Sequence, residues 1–191
     1  YRAVPPGGYT KGLAHETRTD IGSGDIPPES LGDGFFPYVP YRRDPRMEDL
    51  AKATNSVQKA LDSGEYAGAI WLEGSYNVAE TGYWLNLLID TELPISANSS
   101  QRAHGTVGND GDQNIVDSVD YILSRIWADN EGKDRYGTVL LQDEQIFASR
   151  QVEKRDARPG GYGPIGGHGG ILGTIGPPVT IWFQPTTRHT W

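Results

Sequence analysis

The stretch 68–89 restricts the fold more than any other part of the chain. Gly68-Ala69-Ile70-Trp71-Leu72 is a short apolar run of the buried-strand type. It breaks at Glu73-Gly74-Ser75-Tyr76, and from Asn77 onward the spacing becomes helical. Asn77 is a good N-cap, and Glu80 follows three residues later, close to a capping box. A strand that stops at a polar turn and feeds a helix start belongs to open α/β sheets, whose ligands bind outside the carboxyl ends of the strands. The free N–H groups of such a helix start favour a negatively charged group there.

The segments on either side repeat the pattern. Residues 46–62 predict a helix with Met47, Leu50, Ala51, Thr54, Val57 and Leu61 on one face and Glu48, Asp49, Lys52 and Lys59 outside, ended by Ser63-Gly64. Leu93 to Asn98 predicts a short strand, and Ser99 to Asp110 a polar loop carrying Arg102 and His104. A helix from about Asp112 follows, its expected inward face formed by Ile115, Val116, Val119, Ile122, Leu123, Ile126 and Trp127. Thr138 to Leu141 reads as a third buried strand. This alternation predicts an α/β fold: an open, mostly parallel sheet with right-handed crossovers and helices on both faces. After Gln142, a short strand is expected over Ile146 to Val152 and a last one over Val179 to Phe183. Nine glycines lie between Gly160 and Gly176. They lack the strand–GxGxxG–helix context of a dinucleotide site, so a small antiparallel glycine-rich hairpin region is expected there. Residues 1–40 read as an irregular arm or lid, and 41–191 as the domain proper.

Composition narrows the function classes. The net charge of −8 argues against a nucleic-acid partner. Without cysteine there is no thiolate metal site and no cysteine nucleophile, and the four histidines show neither HxH nor HExxH spacing, so neither a metal nor another cofactor is expected. No apolar run has membrane-spanning length and no signal peptide is visible, which points to a soluble, non-membrane protein, the compartment left open with the cytoplasm favoured.

Several blocks, in order, resemble the bacterial-type L-asparaginase/glutaminase family. Glu73 to Leu85 aligns without gaps on that family's H-G-T-D-T-x-E-E-T-A-Y-F-L. Ser99-Ser100-Gln101-Arg102 with Asn109 to Asn114 matches G-A-M-R-P…A-D-G-P-x-N. Asp143 to Lys154 matches N-D-x-I-x-x-A-R-D-V-x-K, Tyr162 to Gly166 matches F-G-P-L-G, and Pro185 to Thr190 matches P-x-R-x-H-T. The resemblance spans roughly residues 41–190 and implies the family's large domain, without its second, smaller domain.

Family members attack a side-chain amide with a threonine hydroxyl. A second threonine, its neighbouring aspartate and a lysine form a proton relay. Carried over by position, the second threonine falls on Ser75, its aspartate on Tyr76 and the lysine on Lys154. The substrate-gripping serine falls near Arg43, beside Asp44, where a guanidinium can hold a carboxylate. Ser100 matches a part of the family site that faces the amide, and Asp110 a patterned position of the same loop. For the first nucleophile two alternatives stand. Gly7-Gly8-Tyr9-Thr10 is a relic of the family's G-G-T-I turn, with Thr10 as the hydroxyl. Otherwise Tyr9 corresponds to the tyrosine of the mobile lid, and the nucleophile strand precedes Tyr1. The expectation is an amidohydrolase acting on a small amide other than asparagine, as a homo-oligomer or with a complementary second chain that supplies the missing strand and domain. The alternative is a descendant that binds a ligand without turning it over.

Overall fold

The computed structural model describes residues 47–102, 107–165 and 170–185. The expectations for the arm 1–40, for Tyr9, Thr10, Arg43 and Asp44, and for the motif residues from Thr186 onward lie outside these residues.

Three helices and eight strands are described: α1 (Met47–Asp62), β1 (Ala69–Leu72), α2 (Val78–Leu88), β2 (Ile95–Asn98), α3 (Gly111–Ser124), β3 (Thr138–Gln142), β4 (Gln145–Ala148), β5 (Val152–Lys154), β6 (Tyr162–Pro164), β7 (Ile171–Thr174) and β8 (Thr180–Ile181). Six strands form one sheet in the order β1-β2-β3-β4-β7-β8, and β5 and β6 form a separate ribbon. β1, β2 and β3 are parallel neighbours, and the β3–β4, β4–β7 and β7–β8 pairs are antiparallel. The expected α/β sheet is therefore present, parallel at the β1 side and continued at the other by the antiparallel strands β4, β7 and β8, of which β7 comes from the glycine-rich region.

Strand alternation assigns the faces. Ile95 and Ala97 of β2 and Leu140 of β3 join Trp71, Val78, Leu85 and Ile89 in one core, to which α1 adds Ala53 and Leu61. Val139 and Leu141 point the other way and join Tyr121 of α3, Trp127, Ile146 and Leu172 in a second core. Helices thus cover both faces, as expected. One expectation is corrected. The β1–α2–β2 and β2–α3–β3 connections step across the sheet in the same direction, yet α2 and α3 lie on opposite faces. Two such crossovers have opposite hands, so they cannot both follow the right-handed rule.

The inward face of α3 is a second correction. It buries Asn114, Asp117, Ser118 and Tyr121, while Ile115, Val116, Val119 and Leu123 are exposed, Leu123 at 69%. The reason lies in β2, whose back face is polar. Ser96 and Asn98 are fully buried there, and Ser118 Oγ sits 2.8 Å from Ser96 Oγ and accepts from Asn98 Nδ2 at 2.7 Å. An apolar helix face would leave those strand groups without partners, at a cost of about 1–3 kcal/mol each. Hydrogen-bond matching therefore outweighs the apolar period. α1 is rotated by a smaller amount: Ala53, Thr54 and Leu61 are buried, and Met47 is exposed.

The strand expected over Ile146 to Val152 divides in two. A tight Asp143-Glu144 turn, both residues at positive φ, starts β4, and a 3-10 turn at Ser149–Gln151 then bends the chain out of the main sheet into β5. That bend carries Lys154 to the carboxyl end of β1. The last strand is shorter than expected, Thr180–Ile181.

Candidate active site

The site grows from the turn between β1 and α2. Glu73 N donates to Asn98 O at 3.2 Å, continuing the β1–β2 pairing past the end of β1, and Asn77 N closes the turn onto Gly74 O at 3.2 Å. Asn77 occupies the N-cap position of α2 as expected, but its side chain makes no cap hydrogen bond. Ser75 therefore stands at the tip, between the strand end and the helix start.

The sequence separates Ser75 from Lys154 by 79 positions, yet Lys154 Nζ lies 2.7 Å from Ser75 Oγ. Burial lowers the lysine pKa from its ordinary value, and Tyr76 opposes that shift. The physical cause is desolvation, which disfavours the ammonium form and raises the share of neutral amine. Tyr76, where the family has aspartate, places its ring centroid 5.3 Å from Lys154 Nζ and is 56% exposed. An aromatic face at that distance attracts the cation weakly and shields it from water. The structure thus brings together Ser75, Tyr76 and Lys154.

Sequence reading gave no role to Tyr162. It lies directly opposite Lys154 in the β5–β6 ribbon, donates its hydroxyl to Ser75 O at 2.9 Å, and has Ser99 Oγ at 3.4 Å. Its hydroxyl pKa is pushed up to about 12, first by burial, with Glu80, Asp110 and Glu73 adding to the rise and the Ser99 contact opposing it. Strand pairing puts Lys154 and Tyr162 on one face of the ribbon, but that pairing is not visible without the fold.

The loop after β2 forms the second wall. Asp110 accepts from Gln101 N and Arg102 N at 2.9 Å each and from Gln142 Nε2 at 2.9 Å, so it anchors the loop. Asn114 Nδ2 donates to Ser99 O at 2.8 Å, fixing the same loop from α3. Gly111 is required by closeness: a Cβ there would stand 2.9 Å from Ser100 Cβ. Between this loop and the turn lies a cleft of about 320 Å³, lined by Leu72, Glu73, Gly74, Ser99, Ser100 and Ile115 among others. Ser100 is thus on the cleft wall, where a ligand residue was expected. Ser75 and Lys154 are not among its lining residues; the pair meets the cleft through Gly74, the neighbour of Ser75 in the chain. β1 has no strand neighbour on its outer side among the described residues.

Among the described residues no group of three or more histidines, aspartates or glutamates is placed to hold a metal ion, and no helix is long and apolar enough to cross a membrane.

Comparison with known proteins assigns the chain to a family. The family model described as "Asparaginase, N-terminal" matches residues 43–159. The L-asparaginase of Bacillus licheniformis is 33% identical over 108 residues, covering 56% of this chain and 32% of that protein. The glutaminase-asparaginase of Pseudomonas fluorescens biotype A is 28% identical over 149 residues, covering 75% and 38%. The glutaminase-asparaginase of Acinetobacter glutaminasificans is 29% identical over 153 residues, covering 77% and 41%. The chain therefore spans between about a third and two-fifths of the length of these relatives. In fold it resembles the crystal structure of a probable cytoplasmic L-asparaginase from Campylobacter jejuni, with a TM-score of 0.65, 21% identity, and coverage of 74% of this chain and 42% of that one. With the family model matching well over half of its residues, the chain belongs to the asparaginase family and carries that family's N-terminal domain.

Proposed function

We propose that this domain is the hydroxyl-bearing part of an amidohydrolase that releases ammonia from a small amide, with Ser75 and Lys154 as its proton-transfer pair. The observation that carries the reading is the 2.7 Å contact between Lys154 Nζ and Ser75 Oγ, with desolvation of the amine beside it. A serine hydroxyl is a poor nucleophile until a base takes its proton, and a lysine held neutral is such a base. In the simplest scheme Lys154 takes the Ser75 proton and the oxygen attacks the amide carbon. The C–N bond then breaks as the proton passes to the departing nitrogen. Water hydrolyses the resulting ester with the same lysine as base and frees the acid.

The replacement of the relay aspartate by Tyr76, together with an arginine near the position of the family's substrate-gripping serine, favours an amide other than asparagine. Arg43 and Asp44 are proposed to bind the substrate, Ser100 to line its cleft, Tyr9 to cover it, and Thr10 to be the alternative first hydroxyl. The edge of β1, which has no strand neighbour among the described residues, favours a second feature: completion of the site by a further strand, from a second copy or a complementary chain.

The test is ammonia release from a panel of small primary amides by the wild type and by Lys154→Met and Ser75→Ala. Loss of about 100-fold or more in either variant is the expected result, in line with the contribution of a positioned acid–base group. Turnover retained in Lys154→Met refutes the pairing. Saturable binding without turnover in the wild type supports a non-catalytic descendant instead.

A further inference from the structure

We propose that Tyr162 is a positioning residue, whose hydroxyl pins the main chain of Ser75 so that Ser75 Oγ stays in contact with Lys154 Nζ. The inference rests on the Ser75–Lys154 reading and adds to it a residue that touches neither substrate nor transferred proton.

The geometry is that of a clamp. Lys154 and Tyr162 are cross-strand partners on the β5–β6 ribbon, and both reach the same residue of a different element. Lys154 takes the Ser75 side chain at 2.7 Å, and Tyr162 takes its carbonyl at 2.9 Å. At the tip of the clamped turn Tyr76 is 56% exposed, and Gly74 is exposed as well. The jaw that holds it is buried. The Tyr162 ring is 6% exposed, in the core cluster that contains Val78 and Ala79 of α2. Ser99 Oγ, on the loop after β2, lies 3.4 Å from the hydroxyl. The groups facing the contact are Tyr76 from the turn and Tyr162 from β6, with Glu73, Glu80 and Asp110 acting on the Tyr162 hydroxyl. A hydroxyl with its pKa pushed up to about 12 remains a donor at any physiological pH, so the clamp does not release by titration. Releasing it mechanically lets the turn swing away. Water then reaches the amine and, because burial is the larger influence on it, the lysine titrates closer to its ordinary value.

The experiment is Tyr162→Phe in the full 191-residue chain, which keeps the buried ring and removes the hydroxyl. The lysine side chains are followed by NMR through a pH titration; the chain has only five lysines, and Lys154→Met assigns the signal. The expected result is that Lys154 titrates at higher pH in Tyr162→Phe than in the wild type, with the other four unmoved. In the amide assay kcat falls about 10- to 100-fold with KM little changed, as for a small misplacement of reacting groups. A folded Tyr162→Phe with a wild-type Lys154 titration overturns the proposal, even if its melting temperature drops, because a merely structural tyrosine gives that pattern. The wild type supplies a measurement that does not depend on the variant folding. The Tyr162 hydroxyl proton should exchange slowly and show a nuclear Overhauser contact to the Tyr76 α-proton; its absence also overturns the proposal. Failure of the underlying reading looks different: Lys154→Met would then match the wild type in turnover, whatever the titration shows.

Discussion

Replacing Ser118 by alanine tests which way α3 faces. The three groups around Ser118 Oγ are Ser96 Oγ at 2.8 Å, Asn98 Nδ2 at 2.7 Å and Asn114 O at 2.9 Å. Ser96 and Ser118 are fully buried and Asn98 is 2% exposed. After the substitution Asn98 keeps its bond to Asn114 O, whereas Ser96 Oγ loses the Ser118 hydroxyl. One buried hydroxyl deprived of its partner costs about 1–3 kcal/mol, so a loss of about 2 kcal/mol is expected. For a chain of this size that lowers the melting temperature by about 4–8 °C. The control is Leu123→Glu. Full burial of a leucine is worth about 1.5–3 kcal/mol, and Leu123 is 69% exposed, so less than about 1 kcal/mol is at stake. Urea denaturation of both variants, with the slope of the transition checked for constancy, reads the difference. If Leu123→Glu costs more than Ser118→Ala, the helix has its apolar stripe inward and the assignment of α3's buried face is wrong.

Two further outcomes follow from the site. Asp110→Asn turns an amide N–H₂ toward two of the donors on Asp110, whichever way the amide lies, so it should cost about 1–3 kcal/mol and speed amide exchange at Gln101 and Arg102; unchanged exchange there would show that Asp110 does not hold the loop. For Lys154 the folded-state pKa is depressed, so the folded protein binds fewer protons than the unfolded chain between the two values. The stability Lys154 contributes is present above the ordinary lysine pKa and is lost as the pH falls through the folded-state value. Melting temperatures of the wild type and Lys154→Met should therefore diverge in favour of the wild type as the pH rises through that window, and parallel curves across it would mean that Lys154 is not desolvated.

The sequence by itself determined a great deal. The run Ala69 to Leu72, the polar break after it and the helical spacing from Asn77 define a strand–turn–helix, because short-range periodicity and turn chemistry act within a few residues. The same holds for β2, β3 and the presence of α1 and α3. Position along the family motifs was enough to single out Ser75 and Lys154, although nothing local shows that they touch.

Tertiary structure decided what depends on partners distant in the chain. The buried face of α3 follows from Ser96 and Asn98, which lie on another element; a helix read alone exposes its polar side, and here the strand it covers is polar. The split of the expected strand at Ser149–Gln151 sends Lys154 out of the main sheet, and sequence periodicity cannot see a bend that changes sheets. Tyr162 belongs to the site only through its register with Lys154 and its 2.9 Å bond across 87 positions to Ser75. The chain encodes each element locally, but the contacts that make a site out of a serine, a lysine and a tyrosine exist only once three elements are packed against one another.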